Sequence, residues 1–212
     1  MKPESPISER KYVSRGGQKL ANALAALAVE IEGRHCMDVG ASTGGFSDHL
    51  LQHGAERVIA VDVGYGQLDW GLRNDPRVEV MERVNARHLT PDDVPFEPDL
   101  VTVDVSFISL AKVLPAVVSC MAAAGDLLAL VKPQFEVGRG KVGKGGVVRD
   151  AGLRRQTLVD VAAAATGLGL SVRGFASSGL PGPKGNLETF IWCDRSGEGI
   201  DDVEAAAAEV EP

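Results

Sequence analysis

The chain has 212 residues, 44% of them hydrophobic and 24% charged, which is ordinary for a globular domain large enough to bury a sizeable core. No apolar run reaches the length of a membrane-spanning helix, and the polar N-terminal residues contain no signal-peptide core, so we expect neither a membrane protein nor a secreted one. The net charge of −7 gives no overall basic character that would attract nucleic acid.

Apolar runs of strand length alternate with segments of helical periodicity along the chain. We predict strands at 35–39, 57–63, 78–81, 99–105, 127–131, 170–177 and 188–193. We predict helices at 18–29, 45–53, 65–73, 110–123 and 151–168. This alternation predicts an α/β fold with a seven-stranded, mostly parallel sheet and helices on both faces. The linker between the last two strands has no helix, so the last strand should be antiparallel.

Composition divides the chain into three parts. We expect residues 1–14 to be an N-terminal arm or linker remnant, 15–195 to be one folded domain and 196–212 to be an acidic tail. The Ala- and Glu-rich end of the tail, 204–212, is predicted to be disordered. The three cysteines are widely spaced and form no Cys-x-x-Cys pair. They indicate a reduced, cytoplasmic protein without a metal site.

A glycine-rich turn follows the first predicted strand. Gly40 ends the strand, and Gly44-Gly45 open the next helix, so the backbone and its free amides can approach a ligand closely. The spacing Gly-x-x-x-Gly-Gly differs from the Gly-x-Gly-x-x-Gly of dinucleotide binders. With Asp38 beside the turn and Asp62 ending the second strand, where it can accept from ribose hydroxyls, S-adenosylmethionine fits. Such turns also occur in α/β proteins that bind nothing there.

Candidate reactive side chains also fall at strand ends. Asp104 and Lys132 end the fourth and fifth strands, and Glu188 begins the last one. A lysine at this edge can take the proton of a ribose hydroxyl, and Asp104 can orient its ammonium group. Lys19, on the first helix, can add a second cation. The alternative is a salt bridge at the sheet edge for Asp104 and Lys132 and ordinary solvation for Lys19 and Glu188.

Basic residues are concentrated near the start of the chain and in its middle, despite the overall negative charge. Residues 194–212 carry seven acids and one base, so the other 193 residues hold 22 acids and 21 bases. Basic side chains that we predict to contact RNA are Arg15, Arg139, Lys141, Lys144 and Lys184. Charge alone leaves a solvated basic loop equally open.

Five motifs carry a family resemblance. They are YVSRGGQKL (12–20), DVGASTGGF (38–46), VDVSFIS (103–109), LVKPQFE (130–136) and GPKGNLE (182–188). Together they resemble the TlyA (haemolysin A) family of ribosomal RNA 2′-O-methyltransferases, over about 12–193. The resemblance implies an FtsJ-like catalytic domain with the Rossmann-like class I fold of S-adenosylmethionine-dependent methyltransferases.

The resemblance also implies site residues and a substrate. A catalytic tetrad falls on Lys19, Asp104, Lys132 and Glu188. Residues predicted to bind S-adenosyl-L-methionine are Asp38, Gly40, Ser42, Gly44, Gly45, Phe46, Asp62, Asn85 and Asp104. The implied methyl acceptor is a cytidine ribose of ribosomal RNA, so ribosomal RNA or ribosomal subunits are the expected partners, with no membrane or metal. A homo-oligomer is left open.

Family members normally have a small S4-type RNA-binding domain before the YVSRGG motif, whereas only about a dozen residues precede it here. Two other functions therefore compete with the enzyme. One is a binding module that keeps the cofactor site but has little activity without an S4 domain. The other is a membrane-active haemolysin, for which the sequence offers no spanning stretch.

Overall fold

The computed structural model of the protein describes residues 11–143 and 145–211. The strands are β1 (His35–Val39), β2 (Arg57–Asp62), β3 (Val78–Glu82), β4 (Leu100–Val103), β5 (Asp126–Val131), β6 (Ser171–Ser177) and β7 (Thr189–Asp194). The α-helices are α1 (Arg15–Leu24), α2 (Gly45–Gln52), α3 (Trp70–Arg73), α4 (Leu114–Ser119), α5 (Pro133–Glu136), α6 (Ala151–Thr166) and α7 (Val203–Val210). None of the helices in the described ranges is long and apolar enough to cross a bilayer.

The seven strands form one sheet in the order β3-β2-β1-β4-β5-β7-β6. Strands β1 to β5 run parallel to one another, and β7 pairs antiparallel with both β5 and β6. The predicted fold class is therefore confirmed, including the antiparallel pairing of the last two strands. The strand order reverses between β1 and β4, and crevices at such a reversal are where open α/β sheets bind ligands.

Side chains alternate across the sheet and build two separate cores. Odd-numbered residues of β1 such as Met37 pack with α4 and α6 on one face. Even-numbered residues such as Cys36 pack with α1 and α2 on the other. Because β1, β4 and β5 are apolar on both faces, they lie in the middle of the sheet, and their carboxyl ends are fixed rigidly.

Local capping explains where the helices differ from the predicted bounds. The first helix begins at Arg15, because the hydroxyl of Ser14 accepts a hydrogen bond from the Gly16 amide. The helix predicted at 65–73 shortens to α3, capped by Asp69. The helix predicted at 110–123 is a 3₁₀ turn, Leu110–Lys112, followed by α4, with a proline in its first turn.

The C-terminal segment corrects one prediction. Residues 203–210 form α7 rather than a disordered tail, with Asp202 as its N-cap. Ala207 is fully buried in the core beneath α6 and β6. Glu211 is also buried, and its carboxylate pairs with Arg154 of α6. The arm predicted at 1–14 falls largely outside the described residues, although Tyr12 is buried against His49.

The packing of α7 can be tested with two neighbouring alanines. Ala207→Leu should lower the free energy of unfolding by about 1–3 kcal/mol, because extra methyl groups cannot fit a filled core. Ala208 is exposed on the same helix, so Ala208→Leu should leave stability nearly unchanged. Urea unfolding of both variants measures the difference. Equal stabilities would mean that α7 does not pack as described.

Candidate active site

The glycine turn after β1 is held in left-handed backbone conformations. Gly40 has a φ of +87° and Gly44 a φ of +96°, and Ser42 between them has a φ of +50°. A Cβ on Gly40 would collide with the main-chain carbonyl oxygen of Asp104. The turn after β1 therefore lies directly against the end of β4, and only glycine fits at the point of contact.

Asp38 holds this turn from below. It is 1% exposed, and its Oδ2 accepts hydrogen bonds from the Ser47 amide (2.9 Å) and the Ser47 hydroxyl (2.7 Å). Its Oδ1 accepts from the Thr102 hydroxyl at 3.3 Å. Burial raises the pKa of Asp38 to about 7, with the charge of Asp104 adding to the rise and the Ser47 and Thr102 hydrogen bonds opposing it. Asp38 thus joins β1, α2 and β4.

Asp62, at the end of β2, lines a cavity of about 520 Å³. Its Oδ2 accepts from the Ser42 amide (2.7 Å) and its Oδ1 from the Gly64 amide (2.6 Å), so the carboxylate is oriented. A carboxylate has about four lone-pair sites, so it can still accept from two hydroxyl groups. Asn85 and Asp104 line the same cavity.

A second cavity of about 780 Å³ adjoins the first through Gly40, Ser42 and Asp104, which line both. It lies between the glycine turn and the start of α1. Of the residues predicted to bind the cofactor, Asp38, Gly45 and Phe46 line this second cavity. Gly44 lines neither cavity; a Cβ there would collide with the side chains of Leu68 and Leu72.

The four residues predicted to be catalytic meet in a third cavity, of about 450 Å³. The Nζ atom of Lys132 lies 2.5 Å from Oδ1 of Asp104 and donates to the Ser106 hydroxyl at 2.9 Å. The Nζ atom of Lys19 lies 2.5 Å from Oε2 of Glu188. Lys19 is 8% exposed, Lys132 9% and Glu188 3%, whereas the side chain of Asp104 is 23% exposed. The Lys19–Glu188 pair is therefore buried, which contradicts the solvation alternative. The Asp104–Lys132 contact is the salt bridge at the sheet edge that the sequence left open.

Among the residues that the structure describes, Asp104 is the one that lines all three cavities. It follows β4 and sits at the reversal of strand order. The first two cavities lie on the side of the glycine turn, and the third holds the lysines. A ligand in the first two would therefore face a second ligand in the third across this carboxylate.

The loop before β7 closes the third cavity. Gly182 lies so close to Glu188 that a Cβ would collide with Oε1 of Glu188. Asn186 is 2% exposed and ties this loop to the one before α6: its Oδ1 accepts from the Val148 amide (2.9 Å), and its Nδ2 donates to the Gly146 carbonyl (2.8 Å). Glycine and asparagine are therefore needed here for close packing.

The basic residues predicted to contact RNA lie around these cavities where the structure describes them. Arg15 is exposed at the rim of the second cavity and donates to the Pro181 carbonyl at 3.0 Å. Lys184 lines the third cavity, and Lys141 is exposed. Lys144 and the side chain of Arg139 lie outside the described part of the chain.

Ser106 and Phe107 are among the residues of the third cavity that sequence reasoning missed. Ser106 accepts the hydrogen bond from Lys132, and its place two residues after Asp104 was the available clue. Phe107 is 91% exposed and has a φ of +65°, a conformation uncommon for a bulky side chain. An aromatic residue in this strand-end loop could have indicated a stacking surface.

Comparison with known proteins decides the family. Residues 12–195 match the family model of the FtsJ-like methyltransferases. The chain belongs to the FtsJ-like methyltransferase family. Its FtsJ-like domain contains the glycine turn and all four residues that meet in the third cavity.

Individual relatives agree with this FtsJ-like assignment. The 16S/23S rRNA (cytidine-2′-O)-methyltransferase TlyA of Mycobacterium tuberculosis is 57% identical over 185 residues, which are 87% of this chain and 69% of that protein. A crystal structure of a suspected hemolysin from Lactococcus lactis is 42% identical, with a TM-score of 0.89, and covers 95% of this chain and 99% of that one. Aeropyrum pernix fibrillarin with bound S-adenosyl-L-methionine, at 16% identity and a TM-score of 0.60 over 91% of this chain and 85% of its own, shares the fold alone.

The pKa of Asp38 predicts a pH dependence of stability in the FtsJ-like domain. A carboxyl whose folded pKa lies above its unfolded value binds its proton more tightly when folded, so the free energy of unfolding falls as pH rises from about 4 to about 7. The contribution is on the order of 4 kcal/mol. Asp38→Asn should lack this part of the slope in urea unfolding at a series of pH values. Identical slopes would mean that Asp38 does not titrate in this range.

Proposed function

We propose that the protein transfers a methyl group from S-adenosyl-L-methionine to a ribose 2′-hydroxyl of ribosomal RNA, with cytidine as the modified nucleotide. The observation that carries the proposal is the convergence of three cavities on Asp104, with two lysine–carboxylate pairs in the third. The printed activity of the M. tuberculosis relative supports the choice of acceptor.

The residues around the first two cavities fit S-adenosyl-L-methionine. Gly40 lines both cavities, and Asp62 has free lone pairs for two ribose hydroxyls. Asn85 lies at the other side of the same cavity. Bound there, the cofactor supplies an electrophilic methyl group. Asp38, which contacts Ser47 and Thr102, acts by holding the turn in place.

Lys132 is the residue that handles the acceptor hydroxyl. Its ammonium group is fixed by Asp104 on one side and Ser106 on the other. A ribose hydroxyl in the third cavity would meet a nitrogen that can orient it as the new bond forms, or that can take its proton once the ammonium group has given up one of its own. Asp104 balances the positive charge, so the lysine can be buried next to the cofactor cavity without an unpaired charge.

Lys19 and Glu188 form the second pair and shape the other wall of the third cavity. The two come from α1 and the start of β7, so their contact joins elements 169 positions apart in the chain. A paired lysine presents its remaining N–H groups in fixed directions, which suits a ribose or phosphate oxygen. We assign Lys19 and Glu188 to positioning the acceptor nucleotide.

RNA binding would follow the exposed side chains around the third cavity. Lys184 lies at the rim of the third cavity and Arg15 at the rim of the second, where both can neutralise phosphates. Phe107 is almost wholly exposed beside Lys132 and offers a face on which a base can stack. The proposed ligand is thus a nucleotide with its ribose inward and its base on an aromatic ring.

The direct test uses purified protein, S-adenosyl-L-methionine with a labelled methyl group, and both ribosomal subunits from cells that lack this activity. Label should enter the RNA, and mass spectrometry of the digested RNA should identify 2′-O-methylcytidine. Measurable cofactor binding without label in either subunit would overturn the proposal and favour a binding module. Label on a base instead of a ribose would overturn the choice of acceptor.

Lys132→Met should abolish methyl transfer while leaving cofactor affinity within about twofold. The substitution keeps the length of the side chain but removes the group that handles the acceptor, a loss of at least about 100-fold in rate. Single-turnover methylation measures the rate, and calorimetric titration measures cofactor affinity in the same preparation. A parallel loss of cofactor affinity would show that the assignment of Lys132 to the acceptor is wrong.

Asp62→Ala should weaken cofactor binding about tenfold or more, because hydrogen bonds to a charged acceptor are lost. Glu79, on neighbouring β3, pairs with Arg57 and lines neither cofactor cavity, so Glu79→Ala is a matched control. Calorimetric titration of both variants decides the point. Equal affinities in the two variants would remove Asp62 from the cofactor site.

A further inference from the structure

A buried hydrogen-bonded cluster lies on the side of the sheet away from the cavities. Glu211 and Arg154 form an ion pair, with Nε of Arg154 donating to Oε2 of Glu211 at 2.7 Å. The hydroxyl of Thr189 donates to Oε1 of the same carboxylate at 2.8 Å. Glu211 is 5% exposed, Arg154 9% and Thr189 2%. None of the three lines a cavity of the active site.

One arm of the cluster reaches the residue next to Glu188. Thr189 is the first residue of β7 and lies opposite Val131 of β5, directly before Lys132. Consecutive side chains of extended chain point to opposite faces, so Glu188 faces Lys19 while Thr189 faces Glu211. The bond to Glu211 thus fixes the strand end that carries Glu188.

The other arm reaches the loop that closes the third cavity. Nη1 of Arg154 donates to the main-chain carbonyl of Arg149 at 2.8 Å. Val148, the preceding residue, donates its amide to Asn186, which in turn holds the Gly146 carbonyl. Gly146 and Asn186 both line the third cavity. The guanidinium group of Arg154 therefore supports a wall of this cavity without lining it.

We propose that Glu211, Arg154 and Thr189 are positioning residues for the acceptor side of the active site. The cluster connects α7 to Glu188 through Thr189, and it connects α7 to the wall of the third cavity through Arg154 and the Arg149 carbonyl. It never touches cofactor or RNA. This inference rests on the proposed function for its kinetic consequence, but the contacts themselves can be measured without activity.

The expected kinetic result follows from the position of the cluster behind the acceptor side. Thr189→Val keeps the shape of the side chain and removes the bond to Glu211, so Glu188 becomes less well fixed. The kcat for RNA methylation should fall about tenfold, since small displacements of positioning groups lower rates steeply. The KM for RNA and the affinity for cofactor should stay within about twofold of the wild-type values.

Two further variants separate positioning from a general loss of stability. Thr157 is equally buried on α6, and its hydroxyl donates only to the Arg154 carbonyl, at 2.7 Å, so Thr157→Val is a matched control. It should keep the wild-type kcat while melting at a temperature similar to that of Thr189→Val. Thr189→Ser keeps the hydroxyl and should restore kcat. A kcat for Thr189→Val equal to that of Thr157→Val would overturn the proposal.

A second measurement does not depend on methyl transfer. The Ser178 amide donates to the Glu188 carbonyl at 3.0 Å, so its hydrogen exchange reports how firmly Glu188 is held. Exchange should be faster in Thr189→Val and in Glu211→Gln than in Thr157→Val. Equal exchange in all three would overturn the positioning role. A wild-type protein that methylates no RNA, with this difference in exchange present, would refute the proposed function alone.

Discussion

The contact between the turn after β1 and the end of β4 determines where everything else in the site can lie. Gly40 touches the Asp104 backbone, which only a residue without a side chain allows. The Asp104 amide in turn donates to the Val39 carbonyl at 2.8 Å. This contact occurs at the one place where the strand order reverses, so the chain on its two sides departs in opposite directions and leaves open space. The three cavities occupy that space.

The second constraint is that two lysines are buried close to one another. A buried ammonium group is costly unless it is paired, and each lysine here has its own carboxylate. Pairing fixes the direction of both side chains. It also explains why two carboxylates accompany two lysines in the third cavity, one contributed by β4 and one by β7. The rate of such a site depends on the rigidity of its walls as much as on the reacting groups.

The sequence predicted some parts of the molecule much better than others. The bounds of the middle strands were predicted closely because Met37, Leu100 and their neighbours form short runs that are apolar on both faces, a pattern typical of a buried strand. The C-terminal helix was missed because a short acidic segment at the chain end suggests a disordered tail, although alanine and glutamate are good helix formers. Its stability comes from one buried alanine and from the pairing of Glu211 with Arg154, 57 positions earlier, a contact that composition cannot reveal.

The candidate site divides in the same way. The positions of Asp62, Asp104 and Lys132 at one edge follow from parallel strands alone, so they could be inferred from local sequence. The pairing of Lys19 with Glu188 could not, since it requires β7 to enter the sheet between β5 and β6. Both residues were candidates from the sequence and from the family resemblance, but neither source paired them with each other. Ser106 and Phe107 were overlooked because the backbone conformation after Asp104 is not encoded by any periodicity.

The place of β7 in the sheet has a consequence for how the protein assembles. Among the described strands, β6 pairs with β7 alone, so it can join the sheet only together with β7. The free edge of β5 therefore pairs only when the β6–β7 hairpin, much later in the chain, has formed, and such non-local pairing is slow. Glu188 arrives with that hairpin. We expect the nucleotide-facing half to be completed last during folding, and pulse-labelled hydrogen exchange showing β6 and β7 protected before β1 and β4 would contradict this order.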